Sequence, residues 1–204
     1  MTAPQTPPLR RRIVLTAVRT VKRWAPATVR RRLWDSEYAA GRWDFLDTSQ
    51  DDLPNTLITK FADGGRILDL GCGTTQNLHL EAGGYALYHG VDISPDAIAR
   101  ARALGRPDSA YDVADVVSYP ITGRYDLILL REVIYYLPLR AAARLVRRCG
   151  DSLTDGGVVA VIIWNTEMYG RTAAAARRCG LPIVDEFVHA PGAVTLLFGP
   201  PATR

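Results

Sequence analysis

The chain has 204 residues, 48% hydrophobic and 23% charged, with a formal net charge of +4, a composition that suits one ordinary globular domain. Its longest apolar run, Val158–Trp164, has seven residues. A membrane-spanning helix needs roughly 20, so none is expected. The three cysteines, Cys72, Cys149 and Cys179, are too few for a disulfide scaffold and read as reduced thiols of a cytoplasmic protein.

Charge divides the chain. Residues 1–33 hold nine of the 25 Lys and Arg and none of the 21 Asp and Glu, which leaves 16 basic against 21 acidic residues in the remainder. We read residues 1–33 as a basic arm and 34–204 as the main domain, opening with a cap segment at 34–62. Arg19, Lys22 and Arg23 interrupt the apolar stretch of the arm, so a cleaved secretion signal is not expected. Residues 1–8 are proline-rich and read as disordered. Leu9 to Trp24 reads as a helix whose stripe of Ile13, Val14, Val18 and Val21 needs a cover. A homodimer is the preferred cover, and peripheral contact with an anionic membrane is the second option. Nucleic acid is the less favoured partner because the body is mildly acidic.

Residues 28–47 read as helical in parts, broken at Gly41, and 53–62 as a short helix with Pro54 in its first turn. From residue 66 strands and helices alternate. Strands are expected at 66–70, 86–92, 109–113, 124–130 and 156–164. Helices are expected at 76–82, 95–104, 139–152 and 168–178, the second capped by Ser94. Two final strands, joined through Pro191 and Gly192, read as an antiparallel pair. Such alternation predicts an α/β fold with a mostly parallel sheet, helices on both faces, and a ligand at the carboxyl ends of its strands.

"ILDLGCGTT" brings Gly71 and Gly73 to that edge. Alone, GxG is weak evidence, because a tight turn explains it equally well. The next strand ends in Asp92, 21 residues after Gly71, placed to accept from both hydroxyls of a ribose. The third glycine of a dinucleotide site is replaced by Gln76, and Asp69 would repel a pyrophosphate but suit an amine. These residues point to S-adenosylmethionine, which carries an ammonium, a sulfonium and a ribose and has no phosphate.

With "HGVDISPDAI", "DVADVVSYP", "YDLILLREVIYYLP" and "LTDGGVVAVII", the chain resembles class I S-adenosylmethionine-dependent methyltransferases over residues 65–164. The resemblance implies a Rossmann-like, seven-stranded sheet with an antiparallel last strand. It also implies that Asp69, Gly71 and Gly73 surround the methionine part, Asp92 holds the ribose and Ile93 packs on the adenine. Asp115 would accept from the adenine amino group beside Val116, and Arg131 would border the reaction centre. "EYAAGRWDFLD" resembles the N-terminal segment of small bacterial methyltransferases of polysaccharide or glycoside biosynthesis. There Tyr38, Arg42 and Trp43 would fold over the cofactor, with Arg42 gripping its carboxylate. A plain amphipathic helix with Trp43 in the core remains the alternative.

For an alcohol acceptor a general base is needed. Glu132 is the first candidate, Tyr136 an orienting hydroxyl, and His79 a further base. No HxH, HExxH or paired CxxC spacing marks a closed metal site, and a carboxylate-held Mg2+ stays open. Trp34, Tyr38, Trp43, Tyr135, Tyr136, Trp164 and Tyr169 form an expected aromatic wall that suits sugar rings and planar metabolites alike. Guided by the resemblance, we read the function as O-methylation of a sugar or short oligosaccharide. N- or O-methylation of a small metabolite, and a non-catalytic cofactor- or membrane-binding module, are the alternatives.

Overall fold

The computed structural model describes residue 20 and residues 22–46, 51–80 and 83–202. The helix expected from Leu9 to Trp24 lies outside the described residues except for its last turn. The stripe of Ile13, Val14, Val18 and Val21 lies outside them too.

Pro26 opens the first full helix, α1 (Ala27–Ala39), whose fixed φ suits a helix start. Gly41 turns the chain with φ +67, and a 3-10 turn follows at Asp44–Leu46. Helix α2 (Leu53–Phe61) then leads into β1 (Arg66–Leu70). Strand β2 (Leu87–Asp92), helix α3 (Pro95–Ala103), and strands β3 (Ser109–Val113) and β4 (Tyr125–Arg131) come next. They are followed by α4 (Leu139–Gly150), β5 (Leu153–Ile163), α5 (Thr166–Arg177), β6 (Ile183–Ala190) and β7 (Ala193–Phe198).

The seven strands lie in the order β3-β2-β1-β4-β5-β7-β6. β1 to β5 are mutually parallel, and β7 runs antiparallel to both β5 and β6. The expected architecture is therefore the one formed. β1 and β4 are the central strands, and their inner residues Leu68, Leu70, Leu127, Ile128, Leu129 and Leu130 are fully buried. Apolar runs of that kind need both faces of the sheet covered. Ser94 caps α3 as expected, its hydroxyl accepting from Ala97 N at 3.2 Å.

One expected helix is absent. Residues 76–77 form a turn and 78–80 are irregular, where a helix over 76–82 was expected. Thr75 sits at φ +58, a left-handed conformation that no helix tolerates in a β-branched residue. Arg106 donates to Thr75 Oγ1 (2.7 Å), Thr75 O (2.9 Å) and Leu78 O (2.8 Å). Its guanidinium satisfies the Leu78 carbonyl and shares that of Thr75 with Leu78 N, which donates to it at 3.0 Å across a turn.

Candidate active site

The carboxyl ends of β1, β2 and β4, together with α1, enclose a cleft, the concave setting in which small-molecule sites are found. It lies beside the strand-order reversal between β1 and β4, the position where open α/β sheets bind ligands.

Asp69 is 1% exposed. Its Oδ2 accepts from Tyr88 Oη at 2.8 Å, and its Oδ1 is buried without a hydrogen-bond partner among the described residues. Burial raises its pKa, and the Arg131 charge partly offsets this. Asp69 itself does not line the cleft, unlike the glycines that follow it; its Oδ1 is a buried acceptor whose need for a donor is unmet among the described residues. Gly71 (φ +83) and Gly73 (φ +60) follow, and both line the cleft. Gly71 takes the positive φ that a tight turn requires, and a Cβ there would also lie 2.1 Å from Val133 Cγ2, so protein packing excludes it as well. At Gly73 the Cβ would meet Tyr38 Oη at 2.8 Å.

At the tip of β2, Asp92 Oδ2 accepts from Gly73 N (3.0 Å) and Oδ1 from Ser94 N (2.9 Å). Burial lifts its pKa to about 6 despite these bonds. Each oxygen keeps a second lone pair, and the side chain lines the cleft beside Ile93. After β3, Asp115 and Val116 also line it. Asp115 Oδ1 accepts from Val117 N (3.1 Å), and Oδ2 accepts from Arg30 of α1. A cap-helix guanidinium thus holds the carboxylate that was expected to meet an adenine.

At the end of β4, Arg131 donates to Asn77 Oδ1 at 3.1 Å. Glu132 has φ +59, a conformation that in a non-glycine residue costs on the order of 1–3 kcal/mol and clusters at functional sites. Tyr135 Oη donates to Glu132 Oε2 at 2.5 Å. Burial raises the Glu132 pKa from its ordinary 4.5 to about 7, with the Tyr135 hydrogen bond opposing the rise. A carboxyl poised there exchanges protons readily at neutral pH.

The cap forms the outer wall. Asp35 Oδ1 accepts from Ser94 Oγ (3.0 Å) and Asp96 N (2.9 Å), and Arg100 donates to Tyr38 O at 2.9 Å. These bonds fasten α1 to the start of α3. Trp34, Tyr38, Trp43 and Tyr136 line the cleft. Trp34 meets Trp43 at 5.5 Å and Tyr136 at 4.7 Å between ring centroids. Tyr135 lies behind Tyr136 and stacks on Tyr169 at 4.0 Å. Trp164 and Tyr169 do not line the cleft.

Besides Asp69, two expected site residues do not line the cleft. The Arg42 side chain is 68% exposed, 3.8 Å from Glu37 Oε1, because the turn at Gly41 directs it outward; Arg131 is the guanidinium that lines the cleft near Asp69. His79 borders a separate depression with Asn55, Asp63 and Tyr85, and its backbone N–H donates to Asn55 Oδ1 at 2.8 Å. Loss of the expected 76–82 helix takes it away from the cleft. Lys22, Arg30 and Asn77 line the cleft unforeseen, since each depends on contacts distant in sequence. Among the described residues no group of three or more His, Cys, Asp or Glu could hold a metal ion, so Mg2+ gains no ligand set. Among them also, no helix is long and apolar enough to cross a membrane.

A family model described as a methyltransferase domain matches residues 39–186, and the chain belongs to that family. It is a methyltransferase, built on the fold of the S-adenosylmethionine-dependent enzymes. The chain is similar in fold to a putative methyltransferase of Haloferax volcanii solved with the Trm112 methyltransferase activator. The TM-score is 0.69 at 15% identity, covering 83% of this chain and 97% of that one. A TehB-like S-adenosylmethionine-dependent methyltransferase of Corynebacterium glutamicum gives a TM-score of 0.63 at 23% identity, covering 81% and 97%. N-methyltransferase NodS of Bradyrhizobium japonicum, solved with S-adenosylhomocysteine, gives 0.59 at 19% identity, covering 74% and 85%. No curated protein matches the sequence.

Proposed function

We propose that the protein transfers a methyl group from S-adenosylmethionine to a hydroxyl of a sugar or short oligosaccharide. The observation that carries the hydroxyl reading is Glu132. It is a cleft-lining carboxyl in a strained conformation, held by Tyr135 and shifted to about 7.

The cofactor fits the residues present. The second lone pairs of Asp92 suit its ribose hydroxyls and Ile93 and Val116 its adenine, and the unpartnered Oδ1 of Asp69, two residues before the cleft-lining Gly71, suits its ammonium once that group reaches past the cleft wall. When bound it supplies an electrophilic methyl on a sulfonium. The protein's own part is to orient the acceptor oxygen, exclude water and take up a proton. Orientation of this kind lowers barriers by roughly 7–11 kcal/mol. Glu132 accepts the hydroxyl proton as the oxygen attacks, Tyr135 fixes the carboxylate, and the Tyr136 hydroxyl orients the acceptor. Trp34 and Trp43 offer ring faces to a sugar. Asp115, with one donor on each oxygen, keeps lone pairs for the adenine amino group alongside Arg30.

The resemblance in length and N-terminal motif extends to the mycobacterial methylmannose polysaccharide 1-O-methyltransferase, so short mannose oligosaccharides are the first acceptors to try. The test is methyl transfer over a panel of sugars, phenols and amines, with the product bond located by NMR. O-methylated sugar supports the reading. Exclusive N-methylation, the activity named for NodS, replaces it. The homodimer and a membrane contact through the arm are proposals as well. Light scattering and vesicle sedimentation of the full chain decide them.

A further inference from the structure

Lys22 brings a charge into the cleft that the proposed chemistry does not use. Lysine stems ordinarily lie along apolar surface with the ammonium in water. Here the side chain is 7% exposed, and Nζ lies 2.6 Å from Glu37 Oε2. It also lies 3.7 Å from the centroid of the Trp34 ring, 5.3 Å from that of Trp43 and 5.3 Å from that of Tyr136. Trp43 Nε1 donates to the same Glu37 oxygen at 3.2 Å, which locks one wall of the enclosure to its carboxylate.

Three aromatic rings and one carboxylate around a single point are the elements of an ammonium receptor. Lys22, Trp34, Trp43 and Tyr136 line the same cleft as Gly73, Asp92 and Glu132, so the enclosure opens on the reaction centre. Desolvation lowers the Lys22 pKa even with Glu37 alongside. Burying a primary ammonium, with its strong hydration, is therefore only partly offset here. A more weakly hydrated, substituted ammonium loses less on entering the same rings.

We propose that Trp34, Trp43, Tyr136 and Glu37 form an acceptor subsite for an ammonium group, and that Lys22 is a tethered occupant which the acceptor displaces. Taken with the O-methyltransferase reading, on which this second step rests, the acceptor carries a hydroxyl for Glu132 and an ammonium for the cage. That is the chemistry of an amino sugar or a hydroxylated amine. The cage itself does not depend on that reading.

Tetramethylammonium chloride is the probe, titrated into wild-type and Lys22→Ala protein against sodium chloride at matched ionic strength, with tryptophan fluorescence as the readout. Lys22→Ala should bind it saturably. Wild type should bind at least about tenfold more weakly, because the tethered lysine leaves a small fraction of cages open. Adding Trp34→Ala to Lys22→Ala should weaken binding by at least about tenfold. A Lys22→Ala protein that still binds S-adenosylhomocysteine but responds to tetramethylammonium no more than to sodium overturns the proposal and makes Lys22 a pin for the arm. If Lys22→Ala loses S-adenosylhomocysteine binding, the wild type decides. Tetramethylammonium should then raise acetylation of Lys22 by acetic anhydride, read by peptide mass spectrometry, and an unchanged yield overturns the proposal. Glucosamine and glucose as acceptors separate the two readings. Tetramethylammonium binding with no O-methylated sugar sinks the proposed function and leaves the cage. Equal transfer to both sugars with no tetramethylammonium binding does the reverse.

Discussion

Replacing Glu132 with Gln keeps the shape of the side chain and removes its ability to take a proton. A carboxyl moved from 4.5 to about 7 corresponds to about 3 kcal/mol of disfavoured ionisation, or about 2 kcal/mol after allowing for partial exposure to water. The sign follows from linkage. The fold binds this proton more tightly than the unfolded chain does, so the contribution is fully present below pH 4.5 and is lost as pH rises through about 7. Glutamine suffers no such loss. At pH 8 Glu132→Gln should therefore be the more stable protein, melting about 5 °C higher at roughly 2–4 °C per kcal/mol for a domain of this size, and the gap should close toward pH 4. Turnover should fall by about 10²–10⁴, the usual effect of losing a general base, with S-adenosylhomocysteine affinity unchanged. Differential scanning fluorimetry, calorimetry and a coupled methyl-transfer assay measure the three quantities. Near-normal turnover at pH 8 would refute the role of Glu132 whatever the melting temperature does.

Asp92→Ala should weaken S-adenosylhomocysteine binding by about 1–3 kcal/mol and also lower stability, since Gly73 N and Ser94 N lose their acceptor. In the wild type that affinity should fall as pH drops through about 6, where Asp92 takes up its proton; calorimetry showing a flat profile there counts against the ribose contact. Arg106→Ala should cost about 2–4 kcal/mol, because it removes three hydrogen bonds together, to Thr75 Oγ1, Thr75 O and Leu78 O, and an unchanged melting temperature would show the loop is held by other means. Arg42→Ala should leave cofactor affinity within about twofold, as expected for a side chain 68% exposed; a large loss in calorimetry would restore the carboxylate grip first expected of it.

The features legible in the sequence are those whose cause is local. The apolar strands, the Ser94 cap, the glycines after β1 and the acid at the tip of β2 each follow from a few neighbouring residues, and all stand where expected. Most of what escaped reading depends on partners far apart in the chain. The helix expected over 76–82 loses to Arg106, about 30 positions away, because nothing near Thr75 announces a guanidinium on its carbonyl. Arg42 sits in the expected motif, but the Gly41 turn sets where it points. Arg30 and Lys22 look like a solvated basic face when only charge is counted. Their partners, Asp115 85 positions on and Glu37 15 positions on, appear only once α1 is laid across the cleft. Gly71 serves the tight turn with φ +83, while the part played by Val133, two residues past the end of β4, in filling the space of a Cβ there is again a contact distant in sequence.

The most direct test of the central claim is transfer of an isotope-labelled methyl group from S-adenosylmethionine to short mannose and glucosamine oligosaccharides, with the new bond located by NMR. The account expects label on a sugar oxygen, and loss of that product in Glu132→Gln protein that still binds S-adenosylhomocysteine. Label found on nitrogen alone, or O-methylated product formed equally well by Glu132→Gln, would contradict it.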